Sequence, residues 1–322
     1  VALSTRAGGV IIMLKYVTTA VALKCFSSTP ITRSLYRRLG NELGDRRRRG
    51  GVMPGYYLER VKRTLRVLRE YGLVRHGDTV FELGTGWLHW EALTLRLFID
   101  IEAVLFDVWD NRQLGGLKNY LTQLGPMLNN VELGLSSAQR ARAQAVIDSV
   151  ARVQSFDELY RLLDFRYVVD ADGSLRQFAN ESFRLVVSGG VLEHVKREAL
   201  PGLVAEMHRV LEPGGWALHS IDTSDHLSHY DSSVSKKKYL SFSEGTWKRL
   251  FENEVQYINR VQRGDWLKLF EAAGFELIEE DSRHVDITGL KLAMPYRSMA
   301  AQDLASTVVR AAFKKREFAS RH

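Results

Sequence analysis

The segment TVFEL (79–83) is a short apolar run that leads directly into Gly84-Thr85-Gly86 and then into a helix-patterned stretch from about 87 to 98. An apolar strand closed by glycines and followed by a helix forms one corner of a βαβ unit. The pattern repeats along the chain. EAVLF (102–106), FRYVV (165–169), FRLVVS (183–188) and WALHSI (216–221) read as further strands. The stretch 275–281 and the run STVVRAAFKKRE (306–317) complete seven. Helical patterns separate the strands, which predicts an α/β fold: a Rossmann-like, seven-stranded, mostly parallel sheet with helices on both faces. Residues 111–164 hold helical patterns and no strand, so they are expected to be a helical insertion between the second and third strands. The expected division is a helical, basic extension over 1–53 and one domain over 54–322, with 222–262 capping the acceptor side.

In sheets of this kind ligands bind at the carboxyl ends of the strands, beside the switch point. Glu82, Gly84, Thr85, Gly86, Asp107, Asp170, Asp172 and the run from Ser188 and Gly189 to His194 all fall at predicted strand ends. Gly84 and Gly86 permit a tight turn and close approach of a ligand to the backbone. A loop that cradles a pyrophosphate needs a third glycine, and here Leu88 stands in its place. The turn therefore suits a cofactor without a pyrophosphate, such as S-adenosylmethionine. Asp107 follows Gly86 by 21 residues at the end of the next strand, where a carboxylate accepts both ribose hydroxyls. Its alternative is a helix cap beside Asp110 and Asn111.

The stretch ESFRLVVSGGVLEHV, followed by LVAEMHRVLEPGGWALHSID, resembles the class I S-adenosylmethionine-dependent methyltransferases. The run Arg209 to Gly215 resembles the family's helix stop before the fifth strand, and the likeness covers roughly 60–280. It implies that Glu82 and the Gly84–Gly86 backbone line the methionine part of S-adenosyl-L-methionine. Asp107 would hold the ribose, and Asp170 or Asp172 the adenine amino group, with a slight preference for Asp172. Ser188 and Gly189 would pass beneath the sulfonium. Phe183-Arg184 departs from the family's Phe-Asp, at a strand start remote from the chemistry. The segments SIDTSDHLSHYD and YINRVQRGDW resemble a bacterial subset, some of whose members act in surface-glycan or secondary-metabolite pathways.

Methyl transfer to oxygen needs alignment and removal of a proton. His226 is the first candidate base, with Asp222 and Asp225 near it in sequence, and His194 is the second. Asp222, His229, Tyr257, Asn259 and Arg260 are candidate acceptor contacts. His226 and His229 with Asp222, Asp225 and Asp231 are chemically able to bind a divalent ion, but the reading assigns no metal.

Charge and cysteine bound the remaining classes. Residues 31–75 carry thirteen Arg or Lys against four Asp or Glu, more excess charge than the +7 of the whole chain. Such a patch suits a nucleic acid, an anionic lipid or a phosphorylated substrate, or else a solvated helix face. A nucleic-acid methyltransferase is the weaker reading, because no Asn-Pro-Pro-Tyr-type motif and no RNA-binding module is present. Arg46–Arg49, flanked by Gly44 and Gly50-Gly51, reads as an exposed loop. One cysteine, Cys25, excludes an internal disulfide and suits a reducing, cytoplasmic setting. The run 10–26 is apolar but carries Lys15 and Lys24, which predicts an amphipathic helix rather than a span or a signal peptide. It is expected to pack on the protein itself; the alternative is that 10–49 touch the inner face of a membrane, even as a non-catalytic binding module. Met13 is a candidate start, which would make the first twelve residues an extension.

Overall fold

The computed structural model describes residues 4–130 and 133–316, with side chains from Leu14 onward. The seven strands are β1 (Thr79–Leu83), β2 (Glu102–Asp107), β3 (Phe165–Val169), β4 (Phe183–Gly189), β5 (Leu211–Asp222), β6 (Phe275–His284) and β7 (Ser306–Lys315). They form one sheet in the order β3-β2-β1-β4-β5-β7-β6. The first five are parallel, and β7 runs antiparallel between β5 and β6. The strand order reverses between β1 and β4, so the crevice above their carboxyl ends is the switch point.

The helices are α1 (Ser4–Ser27), α2 (Pro30–Gly50), α3 (Gly55–Tyr71), α4 (Trp90–Phe98), α5 (Leu114–Asn130), α6 (Ser137–Arg152), α7 (Phe156–Leu163), α8 (Leu200–Val210), α9 (Glu244–Leu250), α10 (Arg263–Ala272) and α11 (Ala301–Ala305). α3 ends because Gly72 adopts φ +60° and returns its N–H to the Leu68 carbonyl at 2.9 Å. α3 to α7 bury Leu65, Leu93, Leu97, Leu117 and Ile147 against one face of the sheet. α8 and α10 bury Val204, Met207 and Phe270 on the other face, where Phe270 stacks flat on Phe313 with centroids 4.2 Å apart. The insertion 111–164 is α5, α6 and α7, as its pattern predicts.

The arginine run departs from expectation. Arg46–Arg49 belong to α2, which continues to Gly50. Gly44 lies within the helix without breaking it, and Gly50-Gly51 end it. A Cβ on Gly116 of α5 would lie 2.8 Å from Arg48 Cβ, and one on Gly115 would lie 2.7 Å from Arg49 Nε. α2 and α5 can therefore approach closely enough for the helix to persist through the charged run.

α1 packs on the protein, as its stripe predicts. Tyr16, Ala20 and Leu23 are buried against Leu227, Tyr239, Trp247 and Phe251 of the 222–262 segment. Tyr16 donates to Asp225 Oδ2 at 2.7 Å, and Lys24 donates to the Lys248 and Arg249 carbonyls at the end of α9. Residues 1–3, and the side chain of Met13, lie outside the described residues. Among the described residues no helix is long and apolar enough to cross a membrane. Behind Asp225, Lys237 Nζ donates within a buried cage formed by the carbonyls of Thr223 and Ser306, Gln262 Oε1 and the Tyr239 hydroxyl. This cage ties the cap to β7.

Asp225 is fully buried, and among the described residues Tyr16 is its only side-chain donor. Tyr16→Phe is therefore expected to lower stability by about 1–3 kcal/mol, the range for stripping a partner from a buried acceptor, as measured by urea unfolding.

Candidate functional site

The glycine turn is held from below by backbone and from the side by one carboxylate. Gly84 and Thr85 both donate N–H to the Phe106 carbonyl, at 2.8 and 3.1 Å. Gly84 and Gly86 sit at φ +65° and +60°, in the left-handed region that glycine adopts without strain. Gly84 is packed, because an added Cβ would meet Val191 at 2.4 Å. At Gly86 the nearest atom to such a Cβ is 3.9 Å away. The second glycine therefore presents open backbone to the crevice. Asp107 Oδ2 accepts the Gly86 N–H at 2.9 Å and Oδ1 accepts the Val108 N–H at 2.8 Å. Burial pushes this carboxyl up, opposed by the N–H groups of Gly86, Val108 and Trp109. Two oxygens offer about four acceptor sites, so capacity remains for a pair of hydroxyls.

Thr85 turns away from the crevice. Its hydroxyl bonds His89 Nδ1 at 2.7 Å, and His89 Nε2 meets the Tyr160 hydroxyl at 3.0 Å. His89 is fully buried at φ +51°, and burial holds its pKa at about 3. The αL residue that starts α4 is thus a histidine, one of the side chains that tolerate αL. Leu88, at the position of a third glycine, is buried and packs beside Gly116.

Glu82 accepts the Ala92 N–H in the first turn of α4 at 2.8 Å. Burial and the neighbouring Glu91 drive its pKa upward. Arg60 of α3 answers both acids: its guanidinium forks onto Glu91, with Nε 2.7 Å from Oε1. A Cβ on Gly189 would lie 2.6 Å from Arg60 Nη2. The sequence does not single out Arg60, because in a helix rich in basic residues nothing marks the one that points inward.

Past β3, Asp170 shapes its own turn. Its Oδ1 accepts the Asp172 N–H at 2.9 Å, its Oδ2 accepts Gln177, and its backbone N–H reaches the Asp107 carbonyl at 3.0 Å. Asp172 is exposed. Ser188 is buried and bonds His219 Nδ1 at 2.8 Å. His219 was not singled out from sequence; burial holds it neutral, with a pKa of about 3.

Two 3-10 turns, Leu192–His194 after β4 and His226–His229 after β5, bring both candidate bases together. The rings of His194 and His226 lie 5.1 Å apart, and His229 stacks on His226 at 5.3 Å. Glu193 is 3% exposed; its Oε1 accepts the Asp222 N–H at 3.2 Å, and Oε2 has no partner. Burial pushes Glu193 up to about 8, with Asp222 adding to the shift. Asp222 Oδ2 is 3.7 Å from His226 Nε2. Nothing in the sequence but its place beside His194 marks Glu193.

Of the other expected acceptor contacts, Tyr257 offers its carbonyl to His194 Nδ1 at 2.7 Å. Asn259 is committed to the turn: its amide donates to the Leu192 and Val195 carbonyls, and its N–H donates to the Glu193 carbonyl. Arg260 is buried, pairs with Glu244 and lies over the Trp247 ring at 4.7 Å. Both hold the site's wall in place through the protein's own groups. Several members of the basic patch have partners within the protein, although most of the patch is exposed. Arg48 lies over Trp87 at 3.8 Å, Arg66 pairs with Glu279, and Arg69 donates to the Gly134 carbonyl.

A family model described as a methyltransferase domain matches residues 32–280. Among curated proteins, none matches the sequence. Similar solved structures include phosphoethanolamine N-methyltransferase 2 of Haemonchus contortus in complex with S-adenosyl-L-methionine. It is 14% identical, with 79% of this chain and 52% of that one covered and a TM-score of 0.44. The YcgJ protein of Bacillus subtilis is 14% identical, over 80% and 99% of the two chains, with a TM-score of 0.42. A SAM-dependent methyltransferase of Methanosarcina mazei is 13% identical over 78% and 98%, with a TM-score of 0.41.

Arg60→Met leaves the Glu91 carboxylate, only 9% exposed, without its counter-charge. The variant is expected to lose about 3–5 kcal/mol of stability, the usual result of removing one partner from a buried pair. Urea unfolding of Arg60→Met beside Arg60→Lys measures it, with the lysine variant falling between.

Proposed function

Because the chain belongs to the S-adenosylmethionine-dependent methyltransferases, we propose that it methylates a hydroxyl of a small-molecule or saccharide acceptor seated at Glu193, His194 and His226. The observation that carries this reading is the pair of imidazoles gathered over the ends of β4 and β5, one strand from the glycine turn. Bound above that turn, the cofactor supplies a methyl group and a thioether leaving group. Asp107 receives the ribose hydroxyls beside the open Gly86 backbone. Arg60 meets the methionine carboxylate, with Glu82 buried beneath the same end. Asp170 or Asp172 reaches the adenine amino group, and Ser188 and Gly189 form the floor under the sulfonium. Asp222 and His229 flank the acceptor, whose contacts extend toward Tyr257.

His226 removes the acceptor's proton in this reading, with His194 beside it. Burial, and then the neighbouring His194, push His226 down to about 4. The ring is therefore neutral across the physiological range, with a lone pair available to accept a proton. Its weak basicity is offset by holding the hydroxyl in line with the methyl carbon.

A second reading rests on α2. Ile31, Leu35, Leu39 and Leu43 are spaced four apart and are all exposed, next to the exposed Arg37, Arg38, Arg46 and Arg47. An apolar stripe bordered by arginines suits the surface of an anionic membrane. The full chain is expected to float with phosphatidylglycerol vesicles, and Leu35→Glu with Leu39→Glu to abolish this. Failure to float overturns the membrane contact and leaves the enzyme reading intact.

Transfer of labelled methyl from S-adenosylmethionine to a panel of hydroxyl, amine and carbon acceptors tests the reaction. Hydroxyl products support the reading; amine or carbon products alone overturn it. Asp107→Ala is expected to weaken S-adenosylhomocysteine binding about a hundredfold, from two lost charge-assisted hydrogen bonds, as read by calorimetry. Because the folded pKa of His226 lies below the usual histidine value, the rate is expected to hold from pH 8 down to about 5.5 and to fall only toward pH 4. A midpoint near 6.5 would contradict this assignment.

A further inference from the structure

We propose that Glu193, His194 and His226 bind a divalent transition-metal cation. Donor atoms from the three side chains lie within 4.8 Å of one another. Three features, beyond proximity, distinguish this cluster. Glu193 is nearly inaccessible, yet one of its carboxylate oxygens has no hydrogen-bond partner. An unanswered carboxylate oxygen at such a depth is costly. Among the described residues no lysine or arginine forms an ion pair with Glu193 or Asp222.

The second feature concerns His194. Its Nδ1 lies 2.7 Å from the Tyr257 carbonyl, which can only accept, so Nδ1 carries the proton and Nε2 the lone pair. A ring nitrogen tied to a carbonyl while the other faces outward is the outer-sphere arrangement of metal-binding histidines. The third is His226, whose Nε2 is buried without a partner. The Asp222 carboxylate, 3.7 Å from that atom, adds negative charge at the edge of the cluster.

Two imidazoles with one carboxylate select zinc, manganese, iron or cobalt over magnesium and calcium, which prefer oxygen. Bond lengths of about 2.0–2.2 Å require the donors to close by roughly an ångström, and the exposed His194 has room to turn. Three protein donors leave coordination positions open to a hydroxyl oxygen. The inference rests on the acceptor being seated here, and it changes the part His226 plays: the ring holds the ion and does not act as a free base. The ion acidifies the bound hydroxyl, whose proton passes to water. The oxygen bonds to the methyl carbon as the carbon–sulfur bond breaks, and sulfur keeps the electron pair.

The test separates binding from catalysis. The protein of residues 1–322, stripped with EDTA, is titrated with Co2+ and followed by visible absorption and equilibrium dialysis, with no acceptor present. One equivalent is expected to bind at micromolar affinity or tighter. The His194→Ala/His226→Ala double variant is expected to bind about a hundredfold more weakly, with an unchanged circular dichroism spectrum and S-adenosylhomocysteine affinity within twofold. No stoichiometric binding by the native chain, or equal binding by the double variant, overturns the site. Cobalt binding without hydroxyl methylation keeps the site and sinks the reaction reading. Full-rate hydroxyl methylation in EDTA by protein that binds no cobalt does the reverse.

Discussion

The Asp107 carboxylate fixes the ligand-facing edge of the sheet. It joins the end of β2 to the glycine turn through the Gly86 N–H, and it stands on the strand whose Phe106 carbonyl anchors the start of the same turn. The loop between β1 and α4 is thereby tied to β2 at three points. The Gly86 backbone stays open because those bonds hold it there. The cost is a charge kept in a buried place, which the surrounding N–H groups offset. A group that both shapes the turn and retains free lone pairs can serve structure and ligand together.

The sheet was legible in the sequence because its information is local. The first four strands are short apolar runs closed by a glycine or aspartate, and all seven occur in the expected order, although β5 begins at Leu211 within the expected helix stop and β6 runs on to His284. Asp107 and Gly86 were legible for the same reason, through a spacing within a single βαβ unit. Arg60, His89 and Glu193 were not. Arg60 sits on a helix with several other basic residues, and only packing against β4 and α4 selects it. Glu193 matters through the Asp222 N–H, supplied by a different strand, and no sequence period encodes that meeting. The arginine run was misread because Gly44 and Gly50-Gly51 look like breakers from within their own segment. The reason for the helix lies in Gly115 and Gly116, on another one.

The wall beside the His194 and His226 rings is held by bonds within the protein. Asn259 and Arg260 hold backbone and ion-pair partners, and the Lys237 cage anchors the cap from behind. Two residues expected to contact the acceptor, Asn259 and Arg260, here bond to the protein's own groups. Among the buried polar atoms without partners are Glu193 Oε2 and His226 Nε2, which belong to one cluster of side chains. Unsatisfied buried polar atoms are scarce in folded proteins. Two of them fall in one small cluster at the ends of parallel strands, where a ligand can answer both.

The placement of β7 between β5 and β6 also bears on biosynthesis. The Lys237 cage needs the Ser306 carbonyl at the start of β7, and α1 docks on Asp225, 209 residues away from Tyr16. Neither contact can form while the chain is still short. As the polypeptide leaves the ribosome, β1 to β4 can pair in turn, but the cap must wait for β7. During that interval Tyr16, Ala20 and Leu23 have no surface to cover them. Long-range closures of this kind are slow and expose apolar surface to other chains. α1 therefore leaves the ribosome well before the segment that seats it, and its apolar face waits for that partner.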